Sequence, residues 1–191
     1  KPDMSGFGLG ASIQSLQGSW TTNVLNDTSA QMVQRMQREM GVTFIPVEQA
    51  AQAPSYSSAE VVFGASEYTS YKNLRPLKIG DEVDAAMGKL AQELKVDAVV
   101  IVSHGWSLNV EENSTRPYAM DIFEIAIFGT DGKRLWFQRD NVESAKADLS
   151  MEGIGANLLG GIREQDATSL TREATLKAID QFIAGWNSKR S

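Results

Sequence analysis

The chain has no cysteine and a single histidine, His104. Without thiols it has no disulfide bond, no thiolate zinc site and no cysteine nucleophile of its own. A zinc or iron centre built from several imidazoles of one chain is excluded as well. The glycines at 153, 155, 160 and 161 fit neither the dinucleotide fingerprint nor the Walker pattern. We therefore expect no metal and no other cofactor.

Positive charge is also scarce, with 18 lysines and arginines against 24 acidic residues and a net charge of −6. An acidic surface repels phosphate backbones, so nucleic acid is excluded as the expected partner. The longest apolar runs fall well short of the roughly 20 residues that span a bilayer. The opening residues 1–6 do not resemble a signal peptide.

What remains is an ordinary globular composition, with 42% hydrophobic and 22% charged residues among 191. This length and composition favour one compact domain over residues 1–191, with a hydrophobic core. Residues 1–26 are the least regular part, and we treat them as a poorly defined N-terminal arm. The pattern of the remaining elements predicts an α/β fold in which helices flank a mixed β-sheet.

Helical periodicity and capping residues predict three main helices. The first begins at a cap among residues 27–29, ends at Gly41 and buries the methionine stripe Met32, Met36 and Met40. The second begins at Asp81 and carries an apolar stripe as far as Leu94, with Lys95 in its last turn. The third covers residues 169–186.

Strand patterns lie between the helices. The apolar run Ala98–Val102 predicts a central strand covered on both faces, and residues 42–47 predict a short buried strand. Residues 118–128 and 135–137 are expected to form a hairpin around Gly129–Lys133, because glycine supplies the positive φ that such turns need. Long connections occupy residues 64–80 and 140–167.

Catalytic signals are weak. His104 could act as a general base oriented by Asp97, Glu111 or Asp121, but no Gly-x-Ser-x-Gly nucleophile motif accompanies it. Asp121 and Glu124 lie three apart on one strand, hence on opposite faces, and do not form a glycosidase pair. We expect a protein that is not an enzyme. A small-ligand site or hydrolase centred on His104 and Trp106 is the alternative.

Three local strings resemble a known family. They are the helix-to-strand segment Met40–Glu48, the segment Leu90–Val100 with Lys95 where glycine is usual, and the hairpin Ile125–Phe137 with Trp136. This order is similar to the α/β domain shared by the TolB amino-terminal domain, the CsgG-type curli secretion lipoproteins and the penicillin-binding-protein activator lipoproteins. The likeness covers roughly residues 28–139 and the final helix.

The resemblance implies a bacterial cell-envelope protein that faces the periplasm and acts by binding envelope proteins or by self-association. It also implies an outer-membrane lipoprotein whose lipidated cysteine lies upstream of this chain, so membrane attachment is expected only through that anchor. The family offers no catalytic residues to transfer to this sequence.

The two long connections are the predicted partner contacts, since long ordered loops more often carry function than the elements beside them. The first contains two exposed-type aromatics, and the apolar centre of the second would form a contact patch. The candidate residues are Tyr68, Tyr71, Leu158, Leu159 and Ile162.

Overall fold

The computed structural model describes residues 20–45, 47–56, 81–110, 116–147 and 164–189. The helices in this part of the chain are α1 (Trp20–Met40), α2 (Val47–Ala50), α3 (Asp81–Leu94) and α4 (Glu164–Ser188). The strands are β1 (Ala98–Val110), β2 (Pro117–Gly129) and β3 (Arg134–Glu143), hydrogen-bonded in the order β1-β2-β3.

The expected α/β class, with helices flanking a sheet, is confirmed. Six residues join β1 to β2 and four join β2 to β3. Connections this short cannot make the crossover that parallel neighbours need, so both strand pairs are antiparallel. The parallel pairing of the expected mixed sheet is therefore not among the described strands.

The start of α1 differs from the prediction. The helix begins at Trp20, so Asp27, Thr28 and Ser29 lie inside it rather than at its cap. The Thr28 hydroxyl donates a 2.7 Å hydrogen bond to the Val24 carbonyl, the local bond that lets a threonine sit within a helix. The methionine face is confirmed, since Met32, Met36 and Met40 are all buried.

The strand predicted over residues 42–47 is wrong. Residues 41–45 belong to no helix or strand, and α2 begins at Val47. A short apolar run bounded by glycine and proline is compatible with strand or irregular chain, and periodicity cannot separate them.

The prediction that Ala98–Val102 forms the fully covered central strand is also wrong for the described sheet. These residues are half-buried, and β1 lies at one end of the strand order. The middle strand is β2, in which Phe123, Ile125, Ala126 and Phe128 are completely buried. An unbroken apolar run shows that both faces meet apolar neighbours, but it does not reveal which strands lie alongside.

The described residues group into two compact units, and each strand contributes residues to both. The first unit contains α1 and α4. Its core cluster is formed by Val24, Leu108, Ala119, Ala167, Leu170 and Ala174. Asp27 pairs with Arg172 and Arg35 pairs with Asp180, each across 145 positions. Because both partners advance together by eight residues, α1 and α4 run in the same direction.

The second unit contains α3, which packs on β2 through Val83, Met87, Leu90, Ala126 and Phe128. The segment after α2 is tied to α3 because the Ser55 backbone N–H and hydroxyl both donate to Glu93, at 2.9 and 2.6 Å. The Ser55 hydroxyl is the largest cause that lowers the pKa of Glu93 from its ordinary value.

The β2–β3 hairpin forms where the sequence predicted it. The Gly132 N–H donates to the Gly129 carbonyl at 3.0 Å, and the Gly129 N–H donates to the Lys133 carbonyl at 2.9 Å. Gly132 has a φ of +76°, so this is a turn completed by a left-handed glycine. The returning strand extends to Glu143, well beyond the predicted residues 135–137.

One additional residue interrupts the β2–β3 pairing. Ten positions separate Ala119 from Gly129 on β2, but eleven separate Lys133 from Ser144, whose N–H donates to the Ala119 carbonyl. An extra residue on one strand of an antiparallel pair is a β-bulge, which bends the strand and redirects its side chains. Exposure alternates regularly from Leu135 to Glu143, while Arg134 and Leu135 are both exposed, which places the bulge at the start of β3.

Candidate functional site

His104 is placed on β1 as a packing residue. It is half-buried, and its ring lies 5.4 Å from the ring of Phe123, centroid to centroid, at an angle of 51°. Phe123 is completely buried on β2. Asp97, one of the three suggested orienting residues, precedes His104 by seven positions of nearly extended chain. At about 3.3 Å per residue this separation is roughly 20 Å, so Asp97 does not orient His104.

Trp106 is held by α4. Its indole N–H donates to the Thr175 hydroxyl at 3.0 Å, and the ring packs against the core cluster of the first unit. Thr175 is completely buried. The indole N–H of Trp106 therefore binds β1 to α4, as expected of a tryptophan at the margin of a core.

Two carboxylates of β2 are buried, which the sequence pattern did not predict. Asp121 is completely buried and Glu124 is 3% exposed, both on β2. Arg139 of β3 approaches Glu124 with 3.2 Å between Nε and Oε1. Burial of a carboxylate is favourable only with compensating partners, and Arg139 is the partner that β3 supplies to Glu124.

The predicted partner contacts Tyr68, Tyr71, Leu158, Leu159 and Ile162 lie outside the described residues. They remain predictions. Glu111, another suggested orienting residue for His104, also lies outside them.

The most distinctive exposed surface in the described part of the chain lies on β3, which the sequence reading did not single out. Leu135 is 59% exposed and Phe137 is 42% exposed, two of the few large apolar side chains open to water. The exposed positions alternate along the strand, and we call the set Leu135, Phe137, Arg139, Asn141 and Glu143 the β3 face. The residue pattern predicted a strand only over residues 135–137, so it did not indicate the full length of β3 or the alternation of its exposed positions.

Cations border this apolar pair. The Arg134 guanidinium lies 5.7 Å from the centre of the Phe137 ring, within the range of a cation–π contact. At the hairpin, Lys133 Nζ lies 2.7 Å from the Asp131 carboxylate. The hydrogen bond to Asp131 raises the pKa of Lys133, and the same bond lowers the pKa of Asp131. The β3 face thus begins beside basic side chains on a chain that is acidic as a whole.

Metal sites and membrane-spanning helices were also sought among the described residues. Within them, His, Asp and Glu side chains never come together in a group of three or more that could hold a metal ion. Of the described helices, none combines the length and apolar character needed to cross a membrane.

Comparison with known proteins found no match for this chain among family models, curated proteins or solved structures.

Proposed function

We propose that this chain is a binding or assembly module that acts through its surface and performs no catalysis. The observation that supports this best is the β3 face, where Leu135 and Phe137 remain exposed on a strand with a neighbour on one side only among the described strands. Exposed apolar side chains on an edge strand favour unwanted pairing, and natural proteins usually avoid them. Their presence favours a protein contact.

The competing function, a small-ligand site or hydrolase at His104 and Trp106, has less support. Trp106 donates its single side-chain N–H to the Thr175 hydroxyl, and the His104 ring packs against Phe123. A general base needs a nucleophile or water within reach and a group that orients the base. The geometry of the described residues favours packing roles for both side chains.

The cellular setting is proposed from the resemblance alone. The family-like strings Leu90–Val100 and Ile125–Phe137 support a periplasm-facing domain of an outer-membrane lipoprotein that contacts other envelope proteins, whereas residues 41–45 do not form the strand that the resemblance implies for Met40–Glu48. Tyr68, Tyr71, Leu158, Leu159 and Ile162 are proposed as a second contact region.

Photo-crosslinking in cells tests the proposed contact. A photoreactive amino acid replaces Phe137 in one variant and Leu25 in a control, because Leu25 of α1 is 43% exposed and therefore equally open to water. We expect discrete protein adducts from position 137 and none of comparable yield from position 25, with mass spectrometry identifying the partner. Equal, diffuse labelling from both positions would argue against β3 as a contact surface.

The enzymatic alternative has its own test. His104→Gln is expected to leave function in cells unchanged, since glutamine keeps hydrogen-bonding capacity while removing a titratable base. Loss of function by a variant of unchanged thermal stability would favour the site at His104.

A further inference from the structure

The β3 face raises the question of which protein chain it contacts, and this inference rests on the proposed function. On its inner side β3 is hydrogen-bonded to β2, and on its outer side there is no strand among the described residues. The sequence of β3 contains neither proline nor lysine, two residues that commonly protect sheet edges. Its bulge lies at the beginning, so residues 135–143 present a regular edge to an added strand.

The charges of β3 are arranged asymmetrically along the strand. Arg134 and Arg139 lie in the first six residues, and Asp140 and Glu143 lie in the last four. In an antiparallel pair formed by two identical strands, the first half of each strand faces the second half of the other. Opposite charges then approach, and like charges directly opposite one another are destabilising. The charge order of β3 therefore suits pairing with a second copy of itself.

The register of such a pair can be derived. A twofold axis relates the two strands, so residues opposite one another have numbers that sum to twice the number of the central residue. A centre at Arg139 would pair the whole regular segment 135–143, but it would place the two Arg139 side chains opposite each other. A centre at Asp140 would place the two Asp140 side chains opposite each other, and centres at Phe137 and Asn141 pair only five residues each, 135–139 and 139–143. A centre at Gln138 pairs the seven residues 135–141 without opposing like charges, so this register is the longest that avoids repulsion.

We propose that β3 pairs antiparallel with β3 of a second copy, centred on Gln138, so that Phe137 of each copy faces Arg139 of the other. The cross-strand pairs are Leu135 with Asn141, Trp136 with Asp140 and Phe137 with Arg139. Each guanidinium then lies beside an aromatic ring, a favourable cation–π arrangement. The two edges join into one continuous sheet, in which each Phe137 ring gains a lateral contact with Arg139 of the other copy.

Sedimentation velocity of the purified chain at increasing concentration tests this proposal, with two substitutions at Phe137 that carry opposite charges. Phe137→Lys places a cation opposite Arg139, so we expect the dissociation constant to rise at least tenfold. Phe137→Glu places an anion there, so we expect a dimer that persists at low salt and dissociates as salt screens the new ion pair. Leu25→Lys is the matched control and should dimerise like the unchanged chain.

The possible results of this experiment distinguish self-pairing of β3 from the more general binding function. A monomeric unchanged chain, or a dimer that Phe137→Lys leaves intact, would overturn the proposal. Equal loss of the dimer with lysine and glutamate would also overturn it, because position 137 would then not face Arg139. If the purified chain is monomeric while position 137 still cross-links to a different protein in cells, self-pairing fails but the proposed binding function stands.

Discussion

At the scale of single residues, the close contact between α3 and the hairpin depends on two glycines. A Cβ on Gly88 would lie 2.6 Å from the backbone nitrogen of Gly132, and a Cβ on Gly132 would lie 2.6 Å from the Asp84 carbonyl oxygen. Both obstacles are backbone atoms, which cannot move aside as a flexible side chain can. Sequence alone does not mark Gly88, because only the folded backbone brings the hairpin against it.

Gly88→Ala therefore tests the helix–hairpin contact, because the expected change in the free energy of unfolding is opposite in sign to that of an ordinary glycine-to-alanine substitution in a helix. Alanine in place of glycine inside a helix normally stabilises by roughly 0.5–1 kcal/mol. Here we expect overpacking to dominate and the free energy of unfolding to fall by about 1–3 kcal/mol. Urea denaturation of both proteins measures the difference, and a variant more stable than the parent would show that α3 and the hairpin are not in contact.

Lys95 ends α3 in a conformation that lysine disfavours. It has a φ of +54°, its N–H donates to the Gln92 carbonyl, and the Val96 N–H donates to the Ala91 carbonyl. This is the Schellman arrangement, in which the left-handed position is usually glycine. The expectation that Lys95 belongs to the last helical turn is thus wrong by one residue.

Lys95→Gly is expected to stabilise the protein by about 1 kcal/mol, because the left-handed conformation costs roughly that much for a residue with a Cβ. Lys89→Gly, in the interior of the same helix, is the control and should destabilise by a similar amount. Thermal unfolding of the two variants should move in opposite directions, and a shared downward shift would contradict the left-handed helix end.

At the scale of elements, β2 rather than β1 is the strand on which the fold depends. Ile125 of β2 is completely buried, whereas Val100 of β1 is half-buried. Burial of an unpaired charge costs several kcal/mol, more where water is farther away. We expect Ile125→Asp to abolish the cooperative unfolding transition and Val100→Asp to lower stability while a transition remains. Circular dichroism during urea titration compares them, and unfolding by Val100→Asp with tolerance of Ile125→Asp would reverse this assignment.

The sequence was informative for α3 and for the hairpin, whose signals are local. Helix α3 begins at Asp81 as expected and ends at Leu94, one residue before the predicted end, and the Gly129–Lys133 hairpin follows from its glycines. Other elements were only partly predicted, with α4 beginning at Glu164 rather than near Ser169. Non-local strand pairing decides which strand lies in the middle and where β3 is bulged. It also decides why Leu135 and Phe137 stay exposed, and residue patterns do not predict such pairing.

The candidate functional residues also divide into those suggested by residue type and those that only the fold reveals. His104 and Trp106 were chosen by residue type, and the structure places the His104 ring against Phe123 and hydrogen-bonds the Trp106 indole N–H to Thr175. The β3 face has no sequence motif, because Leu135 and Phe137 resemble ordinary core residues of a strand. Only the strand order and their exposed fractions distinguish them from a core.

At the scale of the whole molecule, we propose that the β3 face carries the function and that His104 and Trp106 have packing roles. The double variant Leu135→Ser/Phe137→Ser removes the apolar pair from a surface that is already open to water. Its stability should therefore change by less than about 1 kcal/mol, because little buried area is lost. The matched control is Leu25→Ser, at similar exposure on α1.

The most direct test is complementation of cells that lack the gene, with the double variant, Leu25→Ser and His104→Gln expressed at equal levels. We predict that Leu25→Ser and His104→Gln restore function and that the double serine variant fails although it is folded. Full complementation by the double serine variant, together with failure of His104→Gln, would contradict a binding role of the β3 face and favour chemistry at His104.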